Sequence, residues 1–151
     1  MTTQLTILGY VALAMLLSGL IGWEREAADK PAGLRTHLVV AGTAALLTGL
    51  GDVLVPRFGI DTSLIRADPI RIIEAVITGI SFLGAGTIIR HRGENEVEGL
   101  TTAASLLFAA AIGITVALQQ FLLAGGTTVL ILIVLRLLKI AKKRAATLSS
   151  D

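Results

Sequence analysis

One group of residues that could do chemistry in this chain is a polar stripe within an apolar segment. Glu74, Thr78 and Ser81 recur at spacings of four and three residues, and this spacing places them on one face of a helix. An ionisable side chain inside a membrane span costs roughly 2.5–3.5 kcal/mol and marks a functional site by default. The stripe predicts a polar seam that lines a pathway or a contact between helices. A second interpretation stays open, in which Glu74 near the helix end is neutralised by Arg71 or extends to the membrane interface.

The same segment carries glycines at Gly79, Gly84 and Gly86. Transporters break helices at glycines so that free backbone groups contact a substrate. Small residues in membrane helices also serve close helix packing, and this is the interpretation that we favour. The predicted intramembrane seam therefore comprises Glu74, Thr78, Ser81, Gly84 and Gly86.

The second group is a charged segment, residues 24–37, in which six charged residues and His37 follow the first apolar run. It could be a solvated loop. Alternatively, Glu24, Arg25 and Arg35 form an ion-pair cluster at the inner face of the membrane. His37 stands alone at a helix start, and we interpret it as a boundary residue rather than a metal ligand. The full candidate polar cluster is Glu24, Arg25, Glu26, Arg35, Arg90, Thr101 and Thr102.

No motif of a known enzyme class is present in the sequence. Cysteine is absent, and there is no Ser-His-Asp set, zinc-protease helix, phosphate-binding loop or dinucleotide fingerprint. The carboxylates at membrane level are too few to indicate a magnesium site, which needs clustered oxygen ligands. We therefore predict a protein that is not an enzyme and that binds no cofactor or metal. The formal net charge of +2 gives no support to nucleic-acid binding.

The elements that must position these residues are membrane helices. The chain is 54% hydrophobic and only 16% charged, with a mean hydropathy of +0.81. We predict an all-α polytopic transmembrane protein with spans at residues 4–23, 37–55, 70–89, 100–117 and 121–140. The uncharged run 100–135 is too long for one crossing, and Gln119-Gln120 is the expected hairpin within it. Residues 1–141 would form one membrane domain, and residues 142–151 a short basic cytoplasmic tail.

The distribution of basic residues predicts that the N-terminus lies outside and the C-terminus inside. Ten of the 13 lysines and arginines then fall in inner segments and three in outer ones. This bias follows the positive-inside rule.

Small residues at helical spacing predict where helices pack. Ser105, Ala109 and Gly113 form a ridge at four-residue spacing, and Ser18 and Gly22 form a shorter one in the first span. With Gly79, these residues are the predicted packing positions. The same ridges could equally mark a homodimer surface.

Five blocks in order resemble the MgtC/SapB family of bacterial membrane proteins. They are residues 19–26, 31–37, 68–71, 79–86 and 99–105, and the likeness extends from about Gly19 to Gly113. The resemblance implies a bacterial inner-membrane protein, linked in relatives to growth in low magnesium, to virulence inside macrophages and to acid tolerance. It also implies a regulator of other membrane proteins, including the proton-translocating ATP synthase.

Two features depart from that family pattern. Many relatives carry a soluble domain after the last span, whereas this sequence ends at Asp151. The position of Glu74 is more often a glutamine, so a carboxylate adds a titratable group to the seam.

The function predicted from the sequence is that of a non-enzymatic inner-membrane protein acting through helix–helix contact. Its partners would be membrane lipid and either a second copy in a dimer or another membrane protein complex. Glu24, Arg25, Arg35 and the turn at residues 84–86 would hold the site together. The alternative is a small ion or solute permease that works as a homo-oligomer.

Overall fold

A computed structural model shows an all-α protein, as the composition predicts. It describes residues 2–57, 69–90 and 97–148, and within them the side chains of residues 3–51, 53, 70–88 and 97–137. The helices are α1 (Thr2–Glu26), α2 (Leu34–Arg57), α3 (Pro69–Ala85), α4 (Leu100–Ala117) and α5 (Phe121–Leu148). Between α3 and α4, the two-residue strands β1 (Ile89–Arg90) and β2 (Val97–Glu98) pair antiparallel.

The five helices overlap the five predicted spans, and their length and composition indicate a helical membrane protein. Within the described ranges, three segments are long and apolar enough to cross a bilayer: Thr3–Glu26, Leu34–Gly51 and Leu100–Ala117. The apolar part of α5 is Phe121–Leu137, and α3 has 17 residues, or about 25 Å of helix. The predicted orientation, with the N-terminus outside, stays a prediction.

One predicted helix end differs from the structure, and a second element is longer than its predicted span. The third span was expected to continue to residue 89, but α3 ends at Ala85. There the Thr87 amide donates to the Gly84 carbonyl at 2.9 Å, and the Thr87 hydroxyl donates to the same oxygen at 2.7 Å. These bonds replace the next helical turn. At the other end of the chain, α5 continues to Leu148, so residues 142–148 of the predicted tail are helical, and the tail itself stays a prediction.

The ends of α4 depend on two residues in the left-handed backbone region. Gly99 caps the N-terminus with φ +89°, and a Cβ there would collide with the Thr87 carbonyl oxygen. No side chain bonds to this cap. The predicted hairpin after α4 is confirmed, since Gln119 has φ +61° and α5 begins at Phe121.

Helix α4 lies at the centre and packs against α1, α2, α3 and α5. A helix that is apolar on every side is expected to be buried in this way. Its contact with α2 is made by small residues, because a Cβ on Gly113 would meet the Ala41 carbonyl oxygen and lie 2.9 Å from the Ala44 Cβ. Close approach of this kind is typical of membrane helices. The core is correspondingly rich in alanine, including Ala41, Ala44, Ala45, Ala109, Ala110 and Ala117.

Candidate functional site

The stripe on α3 faces away from the rest of the protein. Glu74, Thr78 and Ser81 are all exposed, whereas α3 attaches to its neighbours through Val76, Ile73 and Ile80. The stripe is therefore not buried within one chain, and its role in lining a pathway or a helix contact stays a prediction. No ion pair joins Arg71 to Glu74 among the described residues, so the proposed neutralisation by Arg71 is not seen. The stripe is an open face of α3.

The two glycines of the seam and the packing residue Gly79 differ in what surrounds them. Gly84 is buried, and a Cβ there would lie 3.4 Å from the Cβ of Ala103 on α4. Gly86 lies in the turn after α3 and is exposed. A Cβ on Gly79 would meet no atom within 4 Å, so the predicted packing role does not hold for this residue within one chain.

Glu24 and Arg25 form a buried ion pair at the C-terminal end of α1. The Arg25 Nε donates to Glu24 Oε2 at 2.6 Å, and its Nη2 lies 2.5 Å from the same oxygen. The two side chains are only 8% and 6% exposed. A buried pair of this kind has balanced charge, but it becomes costly if one partner is removed.

The other members of the predicted cluster do not join this pair. Arg35 is exposed and has no ion-pair partner among the described residues. It lines a polar surface depression of about 340 Å³ with Glu26 and Lys30. Glu26 connects the two ends of the loop between α1 and α2, because its Oε2 accepts a hydrogen bond from the Leu34 amide at 2.8 Å. Their functional roles stay predictions.

The remaining predicted cluster residues lie on or near α4. Thr101 is exposed, while Thr102 is buried. The side chain of Arg90 is outside the described residues.

Sequence reasoning missed His37, which is the central polar residue of the bundle. It is fully buried, and it joins α2 to α4 because its Nε2 lies 3.1 Å from the Ser105 hydroxyl. Ser18 of α1 donates to the His37 carbonyl at 3.1 Å. We call the four buried residues Ser18, His37, Thr102 and Ser105 the polar layer.

The number of protons in the polar layer limits which hydrogen bonds His37 and Ser105 can form together. The Gly33 carbonyl, 2.9 Å from Nδ1, can only accept, so Nδ1 carries a proton. Ser105 has one hydroxyl proton, which it can donate either to the Thr102 carbonyl at 2.8 Å or to His37 Nε2 at 3.1 Å. With a neutral ring, one of these two bonds must be lost. The Ser105 hydroxyl is therefore shared between the Thr102 carbonyl and His37 Nε2.

Two sequence signals could have pointed to His37. The first is Gly22 on α1, where a side chain would not fit because its Cβ would lie 2.9 Å from the His37 Cβ. Ser105 is the polar member of the ridge on α4, and the fully buried Ala109 follows one turn later. Small residues on both neighbouring helices therefore leave one space for a larger polar side chain from α2.

The described residues contain no group of three or more His, Cys, Asp or Glu side chains that could hold a metal ion. The polar features of the described residues are buried hydrogen bonds, the Glu24–Arg25 ion pair and the exposed polar face of α3.

Comparison with known proteins identifies the family. Residues 11–144 match the model of the MgtC family. The chain belongs to the MgtC family. The matched range of this MgtC-family chain includes the polar layer, the Glu24–Arg25 pair and the stripe on α3, and the resemblance inferred from the sequence blocks is confirmed.

Named relatives of this MgtC-family chain come from several bacteria. It is 42% identical over 131 residues to "Protein MgtC" of Salmonella typhimurium, covering 87% of this chain and 52% of the relative. It is 39% identical over 127 residues to "Putative magnesium transporter YhiD" of Escherichia coli K12, covering 82% and 56%. An uncharacterized protein of Haemophilus influenzae is 39% identical over 134 residues, covering 89% and 56%.

The chain thus spans about half the length of the curated relatives that it matches. No solved structure matches it significantly.

Proposed function

We propose that this chain is a non-enzymatic protein of the bacterial inner membrane that acts by helix contact on another membrane protein, in adaptation to low magnesium, acid or host stress. The observation that carries the proposal is the outward direction of Glu74, Thr78 and Ser81 on α3. Polar groups that face lipid are costly, and helices remove that cost by pairing their polar faces. A partner helix on this face would supply the missing contacts.

The buried polar groups support the same interpretation. Glu24 is paired with Arg25, and the polar layer is joined by hydrogen bonds between helices. These contacts stabilise the bundle, and they do not outline a path for an ion through a single chain. The names of two relatives, MgtC and a magnesium transporter, support a link to magnesium.

The test is growth in low magnesium of a strain that lacks the chain and is complemented with variants. Glu74→Leu combined with Ser81→Leu replaces two exposed polar groups by side chains that lipid accepts. This variant should insert normally and fail to restore growth. The matched control, Val129→Leu with Ile133→Leu, makes two leucines on the exposed face of α5 and should restore growth. Full growth with the α3 variant at equal membrane levels would rule out the proposed face.

A homo-oligomeric permease is the second candidate, because the same outward stripe could line a path between copies. Proteoliposomes that contain only the purified chain distinguish the two. We expect no flux of Mg²⁺ or protons above that of empty liposomes. A flux that the Glu74→Leu, Ser81→Leu variant abolishes would establish the permease instead.

A further inference from the structure

A cleft of about 380 Å³ opens between the C-terminal half of α1 and the middle of α5. Its lining residues, which define what we call the α1–α5 cleft, are Leu20, Trp23, Glu24, Ala27, Leu132 and Arg136. The residues from α1 recur at helical spacing, as do the two from α5, so each helix presents one face. A cleft of this volume is within the range of sites that hold small ligands.

One oxygen of the Glu24 carboxylate has no hydrogen-bond donor. Arg25 makes both of its contacts with Oε2, and no described residue donates to Oε1. The side chain is only 8% exposed, and it lines the cleft. Oε1 is not one of the fully enclosed oxygens without a hydrogen bond, so it stays accessible at the wall of the cleft. A carboxylate oxygen in such a position can accept a charge-assisted hydrogen bond. Glu24 is therefore suited to a ligand that brings an N–H donor into the cleft.

The opposite wall of the cleft offers a cation. Arg136 is exposed, and no carboxylate among the described residues lies within ion-pair distance of it. Arg136 and Glu24 line the same cleft without pairing with each other. The space between them is therefore bounded by one negative and one positive group.

The rest of the cleft is apolar and has the arrangement of a membrane interface. Leu20 precedes Glu24 by one turn on α1, and Leu132 precedes Arg136 by one turn on α5. The charged groups therefore lie at one level and the leucines one turn further into the helices. Trp23 is 69% exposed beside the charged level, a position that tryptophan favours at the edge of a bilayer.

We propose that the α1–α5 cleft binds one phospholipid whose headgroup carries both a phosphate and a primary ammonium, the phosphatidylethanolamine class. The phosphate accepts hydrogen bonds from the Arg136 guanidinium, and the ammonium donates to Glu24 Oε1. One acyl chain lies along Leu20 and Leu132. A choline headgroup has no N–H for Glu24, and a glycerol headgroup has no positive charge for it. The site is separate from the outward face of α3, so either proposal can fail without the other.

The test is native mass spectrometry of the purified, delipidated full chain with phosphatidylethanolamine, phosphatidylcholine and phosphatidylglycerol of identical acyl chains. We expect ethanolamine lipid to bind about tenfold more tightly than the other two, the effect of one charge-assisted hydrogen bond. Arg136→Gln should weaken it by a similar factor. Ala27→Leu narrows the cleft without changing a charge and should also weaken binding. Lys30→Gln removes an exposed charge outside the cleft and should leave binding unchanged.

Several results would overturn the proposal. Equal binding of ethanolamine and choline lipids would show that Glu24 does not distinguish the two headgroups by a hydrogen bond. A preference for phosphatidylglycerol would show that only the contact between Arg136 and the phosphate contributes to binding. Three further results would each exclude a lipid held in this cleft. The first is unchanged binding by Arg136→Gln, and the second is displacement of the lipid by an equal concentration of soluble phosphoethanolamine. The third is a lipid-free dimer of the chain that Ala27→Leu disrupts.

Discussion

His37 on α2 and Ser105 on α4 are 68 positions apart in the chain, yet His37 Nε2 and the Ser105 hydroxyl are 3.1 Å apart in the buried centre of the bundle. This contact joins two helices that otherwise meet through apolar and small residues, among them Val40, Ala44, Leu106 and Gly113. It also makes the polar layer sensitive to the loss of a single hydroxyl.

Ser105→Ala should lower the free energy of unfolding by about 1–3 kcal/mol, because it leaves His37 Nε2 without a partner in a buried position. Unfolding in mixed detergent micelles measures this loss. Ser81→Ala is the matched control, since it removes the same atom from an exposed position on α3 and should have little effect. Equal losses in both variants would argue against a structural role for the His37–Ser105 contact.

Thr48→Val should raise the free energy of unfolding by about 1 kcal/mol, since it removes a buried polar atom that lacks a partner. Among the described residues, the Thr48 hydroxyl is the fully enclosed side-chain oxygen without a hydrogen bond. Thr128→Val is the control, because the equally buried Thr128 hydroxyl donates to the Ala124 carbonyl at 2.8 Å. A greater gain from the control than from Thr48→Val would contradict the prediction.

Two glycine substitutions should act in opposite directions. Gly113→Ala places a methyl group against the Ala41 carbonyl and should destabilise the fold by about 1–3 kcal/mol. Gly79→Ala meets no neighbouring atom and should stabilise it by about 0.5–1 kcal/mol, because alanine favours the helix. Thermal denaturation in detergent measures both effects. A Gly79→Ala variant that is strongly destabilised would mean that another chain packs on this part of α3.

Arg25→Leu should destabilise the protein by about 3–5 kcal/mol, because it leaves the buried Glu24 side chain without its ion-pair partner. The double variant Glu24→Leu, Arg25→Leu should recover most of that loss, since it removes both charges together. Unfolding of the two variants under the same conditions measures the difference. Similar instability of the single and double variants would show that the pair itself is unimportant.

Arg35→Ala should abolish growth support in low magnesium while the protein still inserts, as the sequence pattern predicts. Its exposed side chain makes no ion pair with any described residue, so stability should change by less than about 0.5 kcal/mol. Lys30→Ala, on the same surface depression, is the control and should keep growth. Full growth with correctly inserted Arg35→Ala would remove Arg35 from the site.

The helices could be predicted from the sequence, because long uncharged runs and a glutamine pair leave few alternatives in a membrane protein. The direction of the α3 stripe could not, since the spacing of Glu74, Thr78 and Ser81 gives a face but not its neighbour. His37 was missed for a related reason. Its partner Ser105 lies on a distant helix, and only the packing of small residues around both brings them together.

The central position of α4 also has a consequence for biosynthesis. Helices α1, α2 and α3 leave the ribosome before α4, yet each of them completes its packing only against α4. Helices α1 and α2 make the most extensive contact with each other and can pack first, whereas Ala41 on α2 and Gly84 on α3 stay uncovered until residues 100–117 arrive. The arrival of α4 then joins the α1–α2 pair to α3, and a nascent chain arrested before α4 would leave these small-residue faces exposed to lipid.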